Sequence, residues 1–195
     1  SAYFAIIYYI PIWFQDIKGA SAVKSGIMCL PMILSVVVFS LVVGGGVSAT
    51  GHFVPFAYAS CVLTTIGAGL ITTFETDTGH DRWIGYQFLF GAGAGFGIQL
   101  GVIASQVVLK QDDIPIGTAI ITFCQTLGGA VFISAAQSIF GNLLGKKISE
   151  AVPVANAGII GQVGATEIKN AVDPRVYEKV LVAYNDALTE TWYIA

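Results

Sequence analysis

The sequence predicts an all-α membrane protein, a polytopic bundle of transmembrane helices, and three observations lead there. Hydrophobic residues make up 55% of the 195 residues and charged residues only 11%, where a soluble domain carries about 25% charge. The mean hydropathy is +0.75. The charges are also segregated: none falls in residues 1–15, 83–109 or 114–144. Between Lys24 and Glu75 the notable ionisable groups are His52, Tyr58 and the thiols of Cys29 and Cys61. The uncharged runs are long enough to cross a bilayer. Residues 83–109 make roughly 40 Å of helix at about 1.5 Å per residue, against a hydrocarbon core of ~30 Å.

Taken in order, residues 1–14 form an apolar, aromatic partial span, which Pro11 kinks or ends. Tyr8, Tyr9, Trp13 and Phe14 suit an interfacial aromatic belt. After the polar loop QDIKGASAVKS, a second span covers 25–43, with Pro31 near its beginning and Gly44-Gly45-Gly46 as its terminator. A third covers 54–74 and carries Thr64, Thr65, Gly67, Gly69, Thr72 and Thr73. The acidic loop ETDTGHDR belongs in water. A fourth covers 83–109, and Asp112 or Asp113 with Pro115 then marks the start of a fifth at 116–144. On that fifth span Thr118, Thr122, Gln125 and Gly129 share one helical face.

Residues 145–173 regain glycines and charges and read as an extramembrane loop. Residues 174–195 read as an amphipathic helix leading into a truncated final span. Its apolar stripe is Tyr177, Val180, Leu181, Tyr184 and Leu188, while Glu178, Lys179, Asn185 and Asp186 mostly face away. The census is four fairly complete spans with a partial one at each end. The chain opens and stops inside apolar sequence, so a fragment of something longer is expected. Residues 1–15 lack the basic start and cleavage site of a signal peptide.

The fourth span carries most of the information. Gly91, Gly93, Gly95, Gly97 and Gly101 would each cost about 1 kcal/mol against alanine in a helix in water. In lipid, small residues four apart let a second helix approach closely, and Gly91/Gly95, Gly93/Gly97 and Gly97/Gly101 have that spacing. With Gly129, these glycines are the expected helix-packing positions. Gln99 and Gln106 share a face of the same span, and Gln125 lies on the fifth. A buried amide without partners costs on the order of 1–3 kcal/mol, so these side chains either bond across helices or line a cavity.

Other function classes find little footing. A net charge of -3 leaves no basic footprint for nucleic acid. Cys29, Cys61 and Cys124 lie in apolar runs, and His52 and His80 stand apart, so neither a disulfide framework nor a metal site is expected. The glycine run fits no G-x-G-x-x-G register and no Lys-Ser/Thr pair follows it, so it indicates no nucleotide or other cofactor. No nucleophile–base pair can be assembled, which argues against an enzyme; His80 with Glu75, Asp77 and Asp81 reads as a solvated loop cluster.

The segments YYIPIWFQDIKGASAVKSGIMCLP, IGYQFLFGAGAGFG, the ASQ after it, DDIPIGTAI, FCQTLGGAVFISAAQSIF and AYNDAL occur in that order. Together they resemble the fungal fourteen-span drug:proton antiporters of the major facilitator superfamily, along essentially the whole chain. The resemblance implies that these residues are the ninth to thirteenth spans and the start of the fourteenth, most of the C-terminal six-helix bundle. It also implies alternating-access export of small amphipathic drugs, toxins or secondary metabolites in exchange for protons, with the missing N-terminal bundle supplying half the cavity and the coupling groups. Gln99, Gln106, Gln125 and Tyr9 would then be substrate contacts. The protein would lie in the lipid bilayer of the plasma membrane or the vacuole. The implied topology leaves Lys110 as the one inward-facing cation and puts Lys18, Lys24, Arg82, Lys146, Lys147, Lys169, Arg175 and Lys179 outside, against the positive-inside tendency. The contrasting expectation is a non-transporting membrane scaffold whose 145–186 loop binds a partner.

Overall fold

The computed structural model describes residues 2–151 and 174–194, and all regular structure among them is helical. Four helical stretches are long and apolar enough to cross a membrane: Ala22–Thr50, Val54–Ile71, His80–Val108 and Ile114–Glu150.

Helix α1 (Ala2–Asp16) runs through Pro11 without ending. The Pro11 carbonyl accepts the hydroxyl of Ser25 at 2.8 Å, tying α1 to α2 (Ala22–Met28). Ser21 caps α2 by accepting from the Lys24 amide. A break at Cys29 separates α2 from α3 (Leu30–Thr50). Gln87 donates to Met28 O at 3.1 Å beside that break, so a carbonyl at the end of α2 has a partner.

The second span does not end at the glycines 44–46. Helix α3 continues to Thr50 and stops at Gly51, whose φ of 68° is left-handed and whose N–H reaches Val47 O at 2.8 Å. The physical reason lies in the surroundings. Without water competing for its backbone, a glycine triplet stays helical in a membrane. Gly46 makes room for a neighbour: a Cβ there would lie 2.5 Å from Cζ of Phe56. Termination falls to the residue that must adopt positive φ.

Helix α4 (Val54–Ile71) ends three residues short of the expected 74, where Thr72 and Thr73 bond back to Gly69 O and Leu70 O. The fourth span is two helices, α5 (His80–Ile98) and α6 (Leu100–Val108), parted at Gln99.

Helix α5 packs between α3 and α4, and its glycines divide the work. Gly91 and Gly95 face α3, where an added Cβ would lie 2.5 Å from Met32 O and 2.6 Å from Val36 O. Gly93 and Gly97 face α4, against Thr64 N and Ser60 Oγ. From the other side, Gly67 of α4 leaves room for the Phe90 backbone, 2.6 Å from where its Cβ would be. Backbones this close allow hydroxyl bonds across the seam: Ser35 to Phe88 O at 2.7 Å and Ser60 to Gly93 O at 2.8 Å. Gly101 and Gly129 meet side chains instead, Ile121 at 3.1 Å and Phe4 at 3.0 Å.

Helix α7 (Ile114–Ala151) exceeds the expected 116–144 at both ends, so residues 145–151 are helix rather than loop. Residues 152–173 of the expected loop lie outside the described residues. Helix α8 (Pro174–Thr191) is followed by a 3-10 turn, Trp192–Ile194.

The aromatic-belt expectation fails for three of its four residues. Tyr9, Trp13 and Phe14 are buried, and only Tyr8 is exposed. The reason is the cover over that end of the bundle. Phe74 lies 4.8 Å from the Trp13 ring and 5.8 Å from Trp192, and Trp83 packs 5.0 Å from Phe14. Asn185 also departs from expectation, since it is buried on α8 instead of facing away. Its carboxamide is satisfied on both sides, which removes the usual penalty of burial. Trp13 Nε1 donates to Oδ1 at 2.8 Å, and Nδ2 donates to Phe74 O at 3.0 Å.

Candidate functional site

A cavity of about 340 Å³ lies among α1, α4, α5 and α7, lined by Tyr3 and Phe4, Ser60 and Thr64, Ala94, Gly97 and Ile98, and Gln125. The close α4–α5 approach places Ser60 and Thr64 against the glycine face of α5, while the aromatic start of α1 supplies the opposite wall. Tyr3 stacks on Phe90 with centroids 6.4 Å apart, and Phe4 lies against Gly129. Gln125 reaches in from α7 and donates to Ile98 O at 3.1 Å, the carbonyl just before the helix break at Gln99. Its amide oxygen remains an open acceptor among the described residues.

None of these lining residues is charged. Such a wall suits an uncharged surface, held by aromatic contact and a few hydroxyl and amide groups.

The four expected contact residues are not gathered in one place. Gln125 lines the cavity, whereas Gln99 and Gln106 are exposed on the α5–α6 unit. Tyr9 is buried near Phe140, at 5.6 Å, and its hydroxyl has no partner among the described residues. The expected polar face of α7 is split. Thr118 meets Ser105 at 3.3 Å, Gln125 reaches Ile98 and Gly129 is buried on Phe4, but Thr122 is exposed and bonds its own helix. Sequence reasoning does not single out Tyr3, Phe4 or Ser60. Ser60, Thr64 and Gly67 do share an i, i+4, i+7 face, a signal that could have found the α4 wall.

No protein-family model matches the chain. Whole relatives do. The MFS acetylaranotin efflux transporter of Aspergillus terreus is 59% identical over 194 residues, 100% of this chain and 43% of its own length. The MFS-type efflux pump MFS1 of Trichophyton rubrum is 55% identical over 195 residues, 100% of this chain and 36% of that protein. The efflux pump roqT of Penicillium rubens is 46% identical over 193 residues, 99% and 36% respectively. The chain belongs to the major facilitator superfamily.

It spans 36–43% of the length of these relatives, so it corresponds to one portion of a major facilitator protein. The all-helical bundle with four apolar spans fits a C-terminal part of that fold and makes this an integral membrane protein.

Proposed function

We propose that the chain is most of the C-terminal bundle of a fungal efflux antiporter, which exports small amphipathic metabolites, drugs or toxins by alternating access in exchange for protons. The observation that carries this reading is identity along the whole chain with relatives named efflux transporters, 59% for the one named for acetylaranotin. The uncharged, hydroxyl- and amide-bearing surfaces support it, because a polar but neutral face inside a membrane protein needs either a partner or water.

In this reading Gln99 and Gln106 present their amides to substrate from the exposed side of α5 and α6. Gln125 is the contact from α7, lining the cavity with its amide nitrogen bonded to Ile98 O. Tyr9, buried beside Phe140, contributes a hydroxyl that has no partner among the described residues. The proton-carrying carboxylate belongs to the other bundle; none lines the 340 Å³ cavity among the described residues. The plasma membrane is the site of action, with the vacuole as the alternative.

The test is export by the full-length protein in cells with Gln99, Gln106 or Gln125 changed to Ala. Reduced export or an altered substrate range in at least one variant is expected. Unchanged export and range in all three would remove the glutamines from the substrate path.

A further inference from the structure

A second cavity, about 160 Å³, sits where the turn after α1 meets the start of α5. Its lining combines Lys18, Lys24, Thr78 and His80 with Met28 and Trp83. Two cations and a histidine around a small hollow form a basic site on an otherwise acidic chain of net charge -3.

The cations are available. Among the described residues neither Lys18 nor Lys24 forms an ion pair; the ion pairs there involve Lys147. Lys18 Nζ donates one bond, to Thr76 O at 2.8 Å, and lies 5.4 Å from the Trp13 ring centroid. Burial pulls its ammonium below the usual lysine range, opposed by Asp77. Lys24 is exposed and its side chain makes no hydrogen bond among the described residues. The acids nearby in sequence, Glu75, Asp77 and Asp81, are exposed and outside the lining. Helix α5 begins at this point without a side-chain cap, and its first N–H groups add positive potential against the exposed Asp81 carboxylate of its first turn.

The surroundings select the anion's carrier. Ile27 and Ile84, next in sequence to Met28 and Trp83, are exposed, and apolar helix faces continue from them along α3 and α5. A soluble anion has no use for that apolar margin, whereas a lipid places its phosphate and its chains on these two surfaces. We propose that this pocket binds the phosphate of a membrane phospholipid, held by Lys18 and Lys24, with the acyl chains along Ile27 and Ile84. The site stands whether or not the transport reading holds.

The experiment uses the full-length protein in detergent, with lipid retention measured by native mass spectrometry. Phosphatidylglycerol, diacylglycerol with the same chains, and inorganic phosphate are the three probes. Phosphatidylglycerol is expected to be retained and diacylglycerol not. K24Q should weaken retention about tenfold, and K18Q/K24Q should abolish it. Because K24Q alters an exposed side chain, it decides the matter alone if the double variant fails to fold. Equal retention by K24Q, or equal retention of diacylglycerol, overturns the proposal. Displacement of the lipid by millimolar phosphate would make this a free-anion site and overturn the lipid assignment.

Discussion

Asn185 on α8 accepts the indole N–H of Trp13 on α1 at 2.8 Å, across 172 positions of sequence. The same carboxamide donates to Phe74 O at 3.0 Å. One buried side chain therefore pins α8 to both α1 and the turn after α4. Asn185→Leu orphans a buried indole N–H and a buried carbonyl, at about 1–3 kcal/mol each. A clear fall in the thermal unfolding midpoint of the purified full-length protein is the expected outcome. An unchanged midpoint would mean that α8 is not held by this contact.

The glycines of α5 are not equivalent, and alanine scanning separates them. Gly91→Ala, Gly93→Ala and Gly95→Ala push a methyl into backbone atoms of α3 or α4, which cannot step aside as a side-chain tip can. Each should cost about 1–3 kcal/mol. Gly85→Ala and Gly69→Ala, where nothing lies within 4 Å, should be neutral or mildly stabilising. Folded yield after detergent extraction ranks them, and equal yields for both groups would contradict the packing described.

Lys147 bonds Glu190 at 2.6 Å and lies 3.9 Å from Asp186, joining α7 to α8 at a largely exposed edge. Pairs of this kind contribute about 0–1 kcal/mol. Glu190→Gln should therefore barely shift the melting temperature, far less than Asn185→Leu. The reverse order would show that charge, not the buried amide, fastens α8.

The spans are legible in the sequence because an uncharged apolar stretch as long as a bilayer is thick suits little besides a bilayer. Where each helix stops is harder to read. The glycines 44–46 resemble a terminator because glycine is poor in a helix in water, yet here the triplet admits Phe56 and Gly51 performs the stop. The spacing of the glycines from 91 to 97 shows a small face, but not that alternate glycines meet different helices. Asn185 is misread because a polar residue on an amphipathic helix defaults to solvent, and its partner is remote in sequence. The cavity wall of Ser60 and Thr64 escapes notice for a similar reason: hydroxyls in an apolar span are common, and only the α4–α5 approach places these two beside a hollow.

The central claim is export, and the most direct measurement is efflux of a fluorescent amphipathic compound from cells expressing the full-length protein. Expression should lower intracellular accumulation, and dissipating the proton gradient should abolish that effect. Accumulation identical with and without the protein, across a panel of such compounds, would contradict the account.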